Sequence, residues 1–183
     1  MEYFSVYNRF GEKTDQVIER NDAHRRGICH RVIHFLIINA ENQILIQQRS
    51  PAKETGANLW DVSVGGHVES TEDIGTGIIR ETKEELGLDI SLLRNSIDYL
   101  FSFKDTIIKD NGAFIDNEFY DVFILKSDFR LDQVVLQESE VQSVQYIDYA
   151  DFKSAVIHKD KTFMPHDTEY KMLFPVLDDY LKQ

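Results

Sequence analysis

Residues 65–88 read GGHVESTEDIGTGIIRETKEELGL, and the rest of the fold is read outward from them. Glu81, Glu84 and Glu85 fall at i, i+3 and i+4, so on a helix of 3.6 residues per turn the three carboxylates share one face. Such neighbours repel one another. A hard divalent cation that takes oxygen ligands, such as Mg²⁺, turns the repulsion into coordination. Most charge runs are only solvated faces. Three features set this one apart: Arg80 beside the cluster, Gly66 where a strand should end, and an opposite apolar face of Ile74, Ile78, Ile79 and Leu86. Ser70-x-x-Asp73 predicts a capping-box start for the helix, and Gly87 a left-handed C-terminal cap. Gly75 and Gly77 fall inside it, each costing about 1 kcal/mol against Ala, which predicts close packing of the helix on a sheet.

Just upstream, residues 60–64 (WDVSV) predict a short strand ending at Gly65-Gly66, and residues 50–59 a loop. Residues 32–38 (VIHFLII) and 43–49 (QILIQQR) predict a core hairpin turned at NAEN. Residues 2–8 and 16–20 predict two short strands turned at Gly11, and 21–31 is a polar segment carrying His24, Arg25, Arg26, His30 and Arg31. Downstream, 97–103 and 118–125 predict strands separated by an irregular polar stretch, then a loop over 129–133 and a strand over 141–147. A helix is expected over 149–158. A terminal amphipathic helix is expected over 164–183, with Tyr170, Leu173, Phe174, Leu177 and Leu181 on one side and a kink or restart at Pro175. Alternating strands and helices imply an α/β sandwich with a mixed sheet. We read 1–183 as one domain: an N-terminal hairpin and lead-in (1–27), a core (28–160) and a C-terminal helix (161–183).

With 183 residues, 42% of them hydrophobic and 28% charged, the chain can bury a sizeable core. Its net charge of −12 argues against a nucleic-acid polymer or an anionic membrane as partner, since both call for a basic footprint. A phosphorylated small molecule fits if metal ions neutralise the contact. Cys29 is the single cysteine, so no internal disulfide can form and a reducing compartment is expected; it reads as a small apolar residue beside a strand. The first 13 residues lack the charged start and apolar run of a signal peptide, and no apolar run approaches the ~18 residues of a membrane span. A cytoplasmic location is therefore expected. Oligomeric state is not encoded legibly, and a homodimer is left open.

Written as a pattern, the opening stretch is Gly66, five residues, Glu72, seven residues, then Arg80-Glu81-Thr82-Lys83-Glu84-Glu85-Leu86-Gly87-Leu88. It resembles the Nudix box, the signature of the Nudix hydrolases, at every charged and glycine position. Thr82 departs from it, standing where the family prefers an aliphatic residue, between Ile78 and Leu86 on the core side. The resemblance implies a Nudix-type α/β/α sandwich and Mg²⁺- or Mn²⁺-dependent hydrolysis of a diphosphate joined to another group. It implies Glu81, Glu84 and Glu85 as catalytic metal ligands, joined by the Gly66 carbonyl, and Glu72, Arg80 and Gly87 as structural residues of the box. The substrate implied is a small-molecule diphosphate, a nucleotide derivative or another organic diphosphate.

Residues outside the box extend the likeness. His30, the Asn39 turn, QILIQQRS, LWDVSVGGHV and DNEFYDVF resemble the branch that contains type I isopentenyl-diphosphate isomerases. In that register His30, His67, Asp116 and Glu118 match the isomerase's metal-binding positions, Asp116 replacing Glu, and Glu118 also matches its catalytic glutamate. His24 is displaced by one residue from a further ligand position and is not carried over. Gly65 stands in the place of the isomerase's catalytic cysteine, and glycine cannot transfer a proton. Hydrolysis is therefore expected over isomerisation, with a non-catalytic diphosphate-binding regulator as a third alternative. Glu138 and Glu140 are rival general bases. Arg25, Arg26, Arg49 and Lys53 are candidate phosphate contacts, Trp60 a core residue, and Phe163, Met164 and His166 a candidate far wall.

Overall fold

The computed structural model describes residues 1–182. A seven-stranded mixed sheet is built around β3 (His30–Ile38), whose apolar run pairs along its whole length with the parallel strand β8 (Phe114–Lys126). On its other side β3 changes partner. It pairs with β4 (Gln43–Arg49) only at Ile37 and Ile38, then with β6 (Val64–His67) over Val32–Phe35. Ser63 sits in the fork: its Oγ accepts from Ile37 N at 2.8 Å and donates to the Leu45 carbonyl. Beyond β4 lie β5 (Trp60–Asp61) and β9 (Val141–Asp148), and β7 (Ile97–Lys109) forms the edge beside β8.

Side chains alternate across a strand, and β3 uses the alternation to feed two cores. Ile33, Phe35 and Ile37 pack with Val64, Ile78 and Leu86 beneath α2 (Ile74–Leu86). Leu36 and Ile38 pack on the other face with Val122, Ile124, Leu173 and Leu177, beneath α3 (Tyr149–Ile157) and α4 (Asp167–Tyr180). Each fully buried Leu or Ile contributes roughly 1.5–3 kcal/mol. The result is the expected α/β/α sandwich. Among the described residues no helix is long and apolar enough to cross a membrane.

Several boundaries differ from the sequence reading. The stretch between 103 and 118 is not irregular: β7 and β8 continue through it as one long hairpin, turned at Asp110–Gly112, where three successive residues have positive φ. It read as loop because its polar residues interrupt the alternation and its apolar ones, Ile107, Ile108, Phe114 and Ile115, belong to neither core. The strand expected over 60–64 is two, β5 and β6, and β6 runs through Gly65 and Gly66 to His67. The polar lead-in folds as α1 (Arg20–Arg26), capped by the Glu19 carboxylate accepting from Asp22 N at 3.2 Å. It packs against β8, behind a separate hairpin of β1 (Tyr3–Tyr7) and β2 (Lys13–Glu19). The terminal helix starts at Asp167 and runs through Pro175 as one element, because Leu173, Phe174 and Leu177 anchor the turns on either side in the core.

Candidate active site

Helix α2 begins one turn later than the Ser70 cap predicts. Asp73 is its N-cap, with Oδ1 accepting from Thr76 N at 2.7 Å, and Gly87 ends it with φ +69°. The helix glycines do not meet the sheet. A Cβ on Gly77 would lie 3.2 Å from the Glu72 carboxylate, and one on Gly75 would meet the Arg94 guanidinium, so both make room for side chains that clamp the preceding loop. Arg80 is the centre of that clamp. It donates to both Glu72 oxygens (2.6 and 3.1 Å), to the His67 carbonyl (2.9 Å), to Glu81 (2.8 Å) and to Glu84 (3.1 Å). Glu72 also accepts from Glu69 N at 2.9 Å. Thr82 is fully buried, and its hydroxyl is satisfied by the Ile78 carbonyl at 2.6 Å, so the departure at this position leaves no orphaned group.

Gly66 brings strand and helix together: any Cβ there would collide with the Glu81 carboxylate. Glu85 is 6% exposed, and its Oε2 accepts from Gln47 Nε2 (3.1 Å) and from Gly65 N (3.4 Å). Burial pushes the Glu81 carboxyl up to about 7, against the pull of Arg80. Burial and then the Glu81 charge push Glu85 up to about 8. Only Glu84 is half exposed. Glu81 and Glu85, raised toward neutrality mainly by burial, with oxygen as the only donor type in the group, fit a hard divalent cation.

A second donor set lies on the far side of β6. His24, His30, His67 and Glu118 each offer an atom within 4.8 Å of the others. The imidazole Nε2 atoms of His30, His67 and His24 stand 3.1, 3.3 and 3.8 Å from one oxygen, Glu118 Oε1. Asp116 is nearby, 3.5 Å from His24 Nε2, with Lys109 at 2.9 Å on its other oxygen. His24 Nδ1 donates to the Arg20 carbonyl and His30 Nδ1 to the Ile28 carbonyl, both at 2.8 Å. With Nδ1 donating to a carbonyl, each ring can donate Nε2–H to Glu118 only as the imidazolium, and the neutral ring turns its lone pair toward the carboxylate, acceptor facing acceptor. A cation between them resolves that conflict, and backbone-anchored Nδ1 is how ligand imidazoles are oriented. Although burial opposes it, the histidine hydrogen bonds hold the Glu118 carboxyl well below its ordinary range. Burial lowers the His67 pKa.

Both sets border one cavity of about 820 Å³, a volume suited to a small ligand. Arg49, Lys53, Glu140, Met164 and His166 line it with them. Other candidates lie elsewhere. Arg25, Arg26 and Glu138 are exposed and do not line the cavity, while Trp60 and Phe163 pack with the core. Lys53 and Glu140 are bonded to each other across the rim. Cys29 is buried, as expected, and burial pushes its thiol pKa up. Sequence reasoning left out His24, His34, Asp61, Tyr120 and Glu169. Strand alternation would have pointed to His34, which shares a face with His30; His24 and Glu169 come from helices whose docking no local pattern encodes.

Residues 29–167 match the family model for the NUDIX domain. The chain is 32% identical over 181 residues to Nudix hydrolase 3 of Arabidopsis thaliana, covering 96% of this chain but 23% of that protein. It is 30% identical over 135 residues to an isopentenyl-diphosphate Delta-isomerase of Pectobacterium atrosepticum, 74% of this chain and 70% of the relative. Among solved structures, DR0079 from Deinococcus radiodurans superposes with a TM-score of 0.66 at 26% identity, covering 86% of this chain and 90% of that one. On the matched domain and the arrangement of its box, the chain belongs to the Nudix hydrolase superfamily, with isopentenyl-diphosphate isomerases among its relatives.

Proposed function

We propose that this protein is a metal-dependent pyrophosphohydrolase that cleaves a small-molecule diphosphate joined to another group. One observation carries the reading: Glu81, Glu84 and Glu85, with the backbone of Gly65 and Gly66, converge on one wall of a cavity large enough for such a substrate. Glu81, Glu84, Glu85 and the Gly66 carbonyl would hold Mg²⁺ or Mn²⁺. A cation there neutralises diphosphate charge, polarises phosphorus and lowers the pKa of bound water. Arg80 and Glu72 keep the box loop and helix in register, so the carboxylates meet the substrate already oriented. The histidine set with Glu118 is nitrogen-rich and suits a first-row transition ion better than Mg²⁺. We assign Glu118 to this second set. All three segments contribute to the cavity, which supports treating 1–183 as one domain: α1 supplies His24, the core the box, and the C-terminal segment His166.

Isomerisation is the runner-up, favoured by the isomerase relatives and by the histidine set. Against it, Gly65 offers no proton, and the only thiol is buried with a raised pKa. The test is metal-dependent product release across nucleotide sugars, dinucleotides, ADP-ribose and prenyl diphosphates. Glu84→Gln and Glu85→Gln should each lose at least ~100-fold in kcat; wild-type rates in both would refute the assignment. Solvent deuterium entering isopentenyl diphosphate would favour the isomerase.

A further inference from the structure

His34 lies four residues along β3 from His30 and on the same face, roughly 13 Å away at a strand rise of about 3.3 Å per residue. It lines the cavity, yet it belongs to neither donor set. Its Nδ1 is 2.6 Å from Glu169 Oε2, with the imidazole 9% and the carboxylate 1% exposed. Glu169 sits in the first turn of α4, locked by its neighbour Tyr170 in the core. The rings of Tyr120 and His166 hold the imidazole from two sides, at centroid distances of 5.1 and 4.8 Å. Among the described residues Nε2 has no hydrogen-bond partner.

Gly65 explains why that edge stays open. It is the cross-strand partner of His34, and a Cβ there would stand 3.4 Å from His34 Cδ2 and 3.7 Å from Nε2. The same glycine's N–H faces Glu85. The free edge of a fixed imidazole and the box carboxylates therefore flank a single glycine. Burial opposes charge on the ring, but Glu169 outweighs it, with smaller help from Asp61 and Glu118, and raises His34 to about 9. Both ring nitrogens then carry protons at neutral pH, so Nε2–H faces the cavity as a charged donor open to a ligand oxygen.

We propose that His34 is a substrate-binding residue that donates Nε2–H to a non-bridging oxygen of the diphosphate, with Glu169 as the positioning residue behind it. This rests on the diphosphate reading above, and adds to it an anchor built from neither the box nor the histidine set. A charge-assisted bond of this kind is worth ~10–100-fold in affinity.

The test uses imidodiphosphate, whose bridging nitrogen resists cleavage, with Mg²⁺ at pH 7. Calorimetry gives its affinity for wild type, His34→Gln and Glu169→Gln, and ¹⁵N NMR follows the imidazole nitrogens. Both variants should bind ~10–100-fold more weakly, while their affinity for Mg²⁺ alone is unchanged. In wild type the His34 Nε2 resonance should move on binding. In Glu169→Gln, which keeps an acceptor for Nδ1, it should start nearer the neutral-ring position and move less. Equal affinities with an unmoved Nε2 resonance would overturn the proposal while leaving the diphosphate reading intact. No binding to wild type would overturn both.

Discussion

The crowded box makes a thermodynamic prediction that Glu85→Gln isolates. Glu85 has an ordinary carboxyl value of 4.5 and a folded value of about 8, raised first by burial. A raised acid pKa means that the unfolded chain loses the proton first, so stability is full below about pH 4.5 and declines as pH climbs toward 8. Without metal, at pH 7.5, the penalty reaches about 4 kcal/mol; at pH 5.5 it is about 1.4 kcal/mol. These are ceilings, because Glu81 carries part of the same repulsion. Glutamine is isosteric and neutral, and its carbonyl can still accept from Gln47 and Gly65. Glu85→Gln should therefore be more stable than wild type in EDTA at pH 7.5. If half of the ceiling is realised, about 2 kcal/mol, Tm rises by ~4–8 °C. The assay is thermal unfolding of both proteins in EDTA and in Mg²⁺, at pH 5.5 and 7.5. Taking the difference between the two proteins removes the titration of His34, His67 and Glu118, common to both. The gap should widen with pH in EDTA and close in Mg²⁺, since only wild type keeps the full carboxylate set. A gap that stays constant between the two pH values, or a variant less stable than wild type in EDTA, would refute the reasoning.

Two more predictions concern the cap and the histidine set. Gly87→Ala forces an alanine to φ +69°, with its Cβ 2.8 Å from Val135 Cβ and 2.9 Å from the Val135 carbonyl, and should cost about 2–5 kcal/mol in urea unfolding. Gly112→Ala, at φ +94° with open space around it, should cost only the backbone part, about 1–2 kcal/mol; equal losses would rule out the Val135 contact. Co²⁺ titrated into the protein should give visible absorption from imidazole ligation that survives Glu84→Gln but weakens ~10-fold or more in His30→Ala. A spectrum lost in the first variant and kept in the second would place the ion on the box instead.

What the sequence made legible was local. The box could be read because its carboxylates, its apolar stripe and Gly87 lie within one 13-residue helix and its cap. The core strands β3 and β4 announced themselves by apolar runs. The linear reading grouped His30, His67, Asp116 and Glu118 but left out His24, because His24 comes from α1, where a one-residue offset against a relative says little about where a helical side chain ends up. His34 was visible by alternation, but its partner was not. Glu169 is 135 positions away, and only the docking of α4 joins them. The far half of the β7–β8 hairpin was missed for the opposite reason: its residues lie outside both apolar cores and are at most half-buried, against α1, so the period-2 signal that burial supplies is weak.

One geometric fact ties these pieces together. The face of β3 that carries Leu36 and Ile38 into the core carries Val32 and His34 to the cavity and the buried His30 to the histidine set beside it, so one strand surface turns from apolar to polar within a few residues. Neighbouring strands switch at the same level: Val122 and Ile124 lie in the core, while Tyr120 and Glu118 line the cavity. β6 enters where β3 and β4 part, and its short stretch Gly65-Gly66-His67 faces three ways. Gly66 meets Glu81, His67 joins the quartet, and Gly65 separates Glu85 from His34. A larger residue at 65 would place its side chain against His34 and cover the edge that glycine leaves open. The absent side chain thus does more than remove the isomerase's acid: it makes the imidazole edge accessible from the box, which is the geometry a diphosphate held by both requires.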